Sequence, residues 1–123
     1  MITQDSKIIA AMAYFMQLFV WFLAPLIIIL LKKDDDYVLY HSKQSLVYVL
    51  IETIFLIVGF GVLFLLSLLT IINPLFGIIS IIGWIIYGIC AILFMIFWVI
   101  GIINCFSGTK KRLPIFGWIG EKF

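Results

Sequence analysis

Two stretches of this chain are almost free of charge, and that limits what it can fold into more than any other feature. Ile8 to Leu31 is 24 residues without a charged side chain, and Leu46 to Phe106 is 61 residues with one, Glu52. A water-soluble fold needs polar residues on the outer face of every element, and runs of this length supply far too few. About 20 apolar helical residues cross a hydrocarbon core about 30 Å thick, so each stretch is long enough to span a bilayer. The whole chain agrees: of 123 residues, 66% are apolar and 11% charged, far from the balance of a soluble domain. The expectation is a single all-α integral membrane domain over residues 1–123.

The first span is placed at about 8–31. It runs directly into Lys32-Lys33-Asp34-Asp35-Asp36 with no small-x-small cleavage pattern, so it reads as a retained helix and not a signal peptide. Pro25 is expected to kink it. The second stretch exceeds one crossing, and Asn73-Pro74 is its strongest breaker, because proline lacks a donor and disfavours helix in the residue before it. Helices are therefore expected over about 42–72 and 75–106, followed by a basic tail over 107–123. Both exceed the bilayer core, so their ends extend along the interface, with Gly77 and Gly83 as bending points. A turn near Gly59-Phe60-Gly61 would add a fourth crossing.

Three spans place seven of the eight Lys and Arg residues on one side and leave Lys7 opposite. The positive-inside rule then puts the N-terminus outside and the loop and tail in the cytoplasm, in an inner or plasma membrane. Lys32, Lys33, Lys110, Lys111 and Arg112 are expected to anchor against anionic headgroups at about 1 kcal/mol each. Tyr37, Tyr40 and His41 suit the headgroup zone.

Within the apolar helices a few polar residues stand out. At 100° per residue, His41, Ser45, Tyr48 and Glu52 share a face of the second span, with Gln44 at its border. On the first span Ala10, Ala13, Gln17, Trp21 and Ala24 share a face; on the last, Gly83, Cys90, Phe97, Gly101 and Asn104 do. An ionised carboxylate at the depth of Glu52 needs a partner, and Gln17 is the candidate. Small residues beside buried amides are the usual interhelical contact of membrane proteins. The functional alternative is a polar groove open to the cytoplasm.

Catalytic chemistry has little to work with. His41 is the lone histidine, and only Ser45 stands at helical spacing from it, with no set of oriented donors to complete a nucleophilic site. Asp34, Asp35 and Asp36 are the one carboxylate cluster, which suits Mg²⁺ on a phosphate headgroup and equally a solvated turn. Cys90 and Cys105 lie about 22 Å apart along one helix, too far for a disulfide, and with one histidine they do not make up a zinc site. No cofactor, no metal and no enzymatic activity is expected. The partners expected are the lipid bilayer, other membrane proteins or translocating polypeptides, and a second copy of the chain, with no nucleic acid. A proton- or ion-conducting role through Glu52 is the alternative class, and a lipid-phosphate enzyme at Asp34–Asp36 a third.

Two segments carry a family resemblance. Tyr37-Val38-Leu39-Tyr40-His41-Ser42-Lys43-Gln44-Ser45-Leu46 resembles the aromatic-x-x-aromatic-His-small-Lys-Gln-small-Leu opening of a membrane helix in the Tic-twenty-like family. Gly108-Thr109-Lys110-Lys111-Arg112-Leu113-Pro114-Ile115-Phe116-Gly117 is similar to that family's closing pattern. The family includes a component of the chloroplast protein-import translocon and small prokaryotic proteins. The resemblance implies a role in protein insertion or translocation, or as an accessory subunit. It also implies four helices, against the three that the charge distribution favours.

Overall fold

A computed structural model describes residues 3–108 together with Ile119 and Glu121. Within residues 3–108 five helices are formed: α1 (Gln4–Phe15), α2 (Gln17–Val20), α3 (Leu23–Leu31), α4 (Asp36–Leu69) and α5 (Leu75–Phe106). Among the described residues there is no strand, as the sequence requires. The chain divides into two compact units, Met1–Ile51 with Ile96–Phe123, and Glu52–Met95.

Helices α4 and α5 are each long and apolar enough to cross a membrane. The Asn73-Pro74 break falls between them as expected, with the Asn73 side chain accepting from Leu75 N–H at 3.0 Å. α4 begins earlier than expected, because Asp35 caps it: one carboxylate oxygen accepts from Tyr37 N–H at 3.1 Å and Val38 N–H at 3.2 Å, satisfying donors that open a helix. It also runs without interruption through Gly59-Phe60-Gly61, so the turn that would have added a crossing does not form. Gly77 and Gly83 do not interrupt α5, which is continuous across both.

The run from Ile8 to Leu31, expected as one continuous span, is divided among α1, α2 and α3, and α1 packs on α3. The chain reverses at Trp21, whose φ of 59° is the one positive value among the described non-glycine residues. Pro25 does not kink a long helix; it sits in the first turn of α3, where the missing N–H removes no helical bond. The two ends of this hairpin meet. Thr3 caps α1 by accepting from Ser6 N–H, and the Ser6 hydroxyl donates to Asp35 at 2.6 Å. A membrane standing between Lys7 and the loop, as the charge count proposed, does not fit that contact.

The Glu52–Met95 unit is a pair of helix segments locked by aromatic rings. Tyr87 stacks on Phe55 at 5.4 Å and donates its hydroxyl to Leu56 C=O at 2.7 Å. Trp84 packs edge-on against Phe60 and donates to the Ser67 hydroxyl at 3.0 Å. The backbones approach because glycine lies under the bulk. A Cβ on Gly59 would stand 2.6 Å from Tyr87, and one on Gly83 2.5 Å from Leu63.

Candidate functional site

The polar residues of the first unit gather where α1 lies against the start of α4. α1 presents a flat face, Ala10, Ala11 and Ala13 with Tyr14 beside them, all buried. Small side chains let the two backbones close, so polar groups reach across. The Ser45 hydroxyl donates to Ala13 C=O at 2.9 Å, and Gln17 donates to the same hydroxyl and to Ser45 C=O. Tyr14 and Tyr48 pack ring to ring at 6.5 Å. His41, Ser42, Gln44, Ser45 and Tyr48 are all at least 98% buried, so the polar face of α4 is covered by packing.

α5 closes the other side. The Tyr37 hydroxyl donates to the carbonyls of Cys105 and Asn104, and accepts from Gly108 N–H at 3.2 Å. These carbonyls lie in the last turn of α5, where helical partners run out, and Asn104 C=O also accepts from the Ser107 N–H at 3.2 Å and hydroxyl at 2.7 Å. Trp98 donates to Tyr14 C=O at 3.0 Å. His41 stands between two aromatic edges, Tyr37 at 4.6 Å and Tyr40 at 5.2 Å. Tyr37 and His41, placed in the headgroup zone by the sequence, are buried in this packing; Tyr40 is half-buried and donates to the Glu121 carboxylate at 2.8 Å.

The expected residues thus divide. Gln17, His41, Gln44, Ser45, Tyr48 and Asn104 come together in one unit. Glu52 lies half-buried in the other unit, and it is engaged; the hydrogen bonds of Gln17 named above go to Ser45. Trp21 is exposed at the hairpin turn and Ala24 lies in α3, so the five-residue face drawn on one straight helix is not formed. Sequence reasoning missed Tyr14, Tyr37, Trp98 and Ser6 as bonding partners. Only Tyr37 carried a signal, as the first aromatic ahead of His41. Lys32 and Lys33 are exposed, as headgroup anchors would be, whereas Lys110, Lys111 and Arg112 lie outside the described residues.

At the mouth of the hairpin, burial opposes ionisation of Asp35. The Ser6 hydroxyl, the Val38 and Tyr37 N–H groups and the Lys32 charge outweigh it and hold the carboxyl below its ordinary value. Asp35 is therefore a capping residue. Among the described residues no three His, Cys, Asp or Glu side chains converge on a point where a metal ion would sit.

The sequence model of the magnetosome magnetite crystal formation protein family, MamF/MmsF, matches residues 5–119. The chain belongs to the MamF/MmsF family. Two membrane proteins of Methanocaldococcus jannaschii, both described as UPF0132 membrane proteins, are similar to it. One is 29% identical over 103 residues, which is 84% of this chain and 61% of that protein. The other is 27% identical over 94 residues, 76% of this chain and 69% of that protein. The chain thus spans about six-tenths of the first relative's length. No solved structure matches. These findings correct the resemblance to the Tic-twenty-like family: the matching family is MamF/MmsF, and the aromatic-His-Lys-Gln segment and basic tail fall inside that match. Aromatic and basic residues at a membrane interface recur for physical reasons in unrelated proteins, so two short patterns of this kind are weak grounds for kinship.

Proposed function

We propose that this membrane protein is a non-enzymatic accessory subunit, which holds and orients a partner membrane protein through its apolar helices. The observation that carries the reading is the use made of the buried polar groups. Ser45, Gln17, Tyr37 and Trp98 bond to backbone carbonyls or to one another, an arrangement that fixes helices and supports a structural use of those groups. The outer surface supports the partner-binding half. Gly61 and Gly88 lie exposed on α4 and α5, and a Cβ on either would meet nothing within 4 Å. Bare backbone on a lipid-facing surface is where another helix approaches closely.

The family's description concerns magnetosome magnetite crystal formation. Carried to this chain, it becomes a part in building the membrane assembly that does the work. The membrane is taken as the inner or plasma membrane, with Lys32, Lys33 and the C-terminal tail on the cytoplasmic side.

The test is photo-crosslinking in living membranes from Ile57 and Ile92, which are exposed on α4 and α5. The expected result is one recurrent polypeptide adduct, identified by mass, that is lost when Gly61→Trp and Gly88→Trp block the approach. Adducts to lipid alone at both positions would overturn the reading. A second reading, a proton path, is favoured only by the half-buried carboxylate of Glu52.

A further inference from the structure

The hairpin of α1, α2 and α3 is too short to cross a bilayer in either limb. The first limb, α1 with α2, runs from Gln4 to Val20 and α3 has 9 residues, which at helical rise is about 26 Å and about 14 Å against a core of about 30 Å. Its depth is set by what it touches. Gln17, the first residue of α2, bonds to Ser45, and Ser45 stands nine residues into α4 from Asp36, about 14 Å along the axis. The nearest charge, Lys43, stands two residues before Ser45, so Ser45 lies just below the charged end of α4, where the uncharged run begins.

The residues beyond Gln17 carry no charge, and the Trp21 indole N–H is the one polar side-chain group among the next six. Leu18, Phe19, Val20, Trp21, Phe22 and Leu23 form the turn, and all are exposed, Phe19 by 79%. Backbone that leaves helical form inside lipid needs its polar groups bonded. Here Trp21 N–H donates to Gln17 C=O at 3.1 Å, and the carbonyls of Trp21 and Phe22 accept from Ala24 and Leu26 at 3.4 Å.

The opposite end is polar and tied together. Asp5, Lys32, Lys33 and Asp34 are exposed there, Ser6 bonds to Asp35, and Lys7 approaches Gly108, the described end of the α5 segment. The Tyr40 contact brings Glu121 to the same end.

We propose that α1–α3 form a re-entrant hairpin that enters and leaves one leaflet through the same face, with Leu18, Phe19 and Trp21 in contact with the acyl chains of that leaflet. The chain then crosses the membrane twice, through α4 and α5. Residue 3, the turn at 32–35 and Gly108 share one side. The hairpin adds apolar volume to one leaflet only. This inference stands on the geometry of the first unit and does not depend on the accessory role.

Single cysteines at Gln4 and Asp34, both exposed, are introduced after Cys90 and Cys105 are replaced by alanine, and sealed oriented vesicles are labelled with a membrane-impermeant maleimide. Monodispersity in detergent confirms that each variant is folded, and if Cys105→Ala fails this check, the buried Cys105 is retained. Labelling of both positions from the same side is expected. Labelling from opposite sides overturns the hairpin and restores a full first crossing. A photoreactive residue at Phe19 then tests the occupant. Phospholipid adducts are expected, and adducts to another polypeptide in their place overturn the lipid contact.

Discussion

Gly101 and Gly88 lie in the same helix, α5, yet substitution should separate them cleanly. A Cβ on Gly101 would run into the ring carbons of Tyr14, which is 99% buried and held by Tyr48 and Trp98. Overpacking of a side chain that cannot retreat costs about 1–3 kcal/mol. Gly88 faces open space, so Gly88→Ala gains helix propensity of up to about 1 kcal/mol. Thermal unfolding in detergent should therefore show Gly101→Ala below the wild type and Gly88→Ala at or above it; equal midpoints would mean that α1 does not pack on α5. Asp35 gives a second test at this scale. Its carboxyl is held below the ordinary value in the folded chain, against the effect of burial, by Ser6, the N–H groups of Val38 and Tyr37, and Lys32. A lowered folded value means stability that is present above the unfolded value of about 3.9 and lost as pH falls through the folded one. The melting temperature is expected to drop on acidification through that window. In Asp35→Asn, which keeps a capping oxygen but no charge, this acid dependence should flatten, and a slope unchanged from wild type would remove Asp35 from the account.

The turn between α2 and α3 carries its own prediction, because Trp21 adopts φ 59° and ψ −131°, a region in which only glycine is at ease. Trp21→Gly removes a strain of about 1–3 kcal/mol together with the ring contact to Phe22 at 6.0 Å. Trp21→Val keeps the strain and adds a β-branched side chain. The expected order of melting temperatures is therefore Gly at or above Trp, and both above Val. A Val variant as stable as the wild type would show that the chain turns elsewhere. The same turn explains what the sequence left unread. The break between α4 and α5 was legible because Asn73-Pro74 removes a donor. The hairpin was not, since 24 uncharged residues look alike whether straight or folded back, and Trp21-Phe22 offers none of the Gly, Asn or Pro that usually mark a reversal. Pro25 pointed near the place, but its meaning depended on where α3 begins. For the candidate site, helical arithmetic put His41, Ser45 and Tyr48 on one face of α4. It did not say what would cover that face, because the depth of Gln17 follows from the hairpin and not from residue spacing.

At the scale of the whole molecule, charge is confined to one unit apart from a single residue: between Glu52 and Met95 the sequence has only Glu52 itself. An ionised carboxylate at such a position is unfavourable by about 2.5–3.5 kcal/mol near the bilayer centre, so its presence demands either a hydrogen-bonding use or a titrating one. The two uses separate under substitution. Glu52→Gln keeps an acceptor oxygen and the side-chain volume while deleting charge and titration, and Glu52→Leu deletes all polar capacity. If the carboxylate serves as a contact between helices, as the accessory role requires, the Gln variant should melt within about 0.5 kcal/mol of wild type, the usual range for a change that removes no needed interaction. It should also give undiminished adducts from Ile57 and Ile92. The Leu variant should then differ measurably in stability. A lower melting point would mean a lost hydrogen bond, and a higher one would mean that a poorly paired polar group had been replaced by a packed one. The opposite pattern belongs to the proton path. A Gln variant that folds and melts like wild type, while abolishing a pH-dependent current which the wild type carries in reconstituted vesicles, would give Glu52 a titrating role and displace the accessory reading.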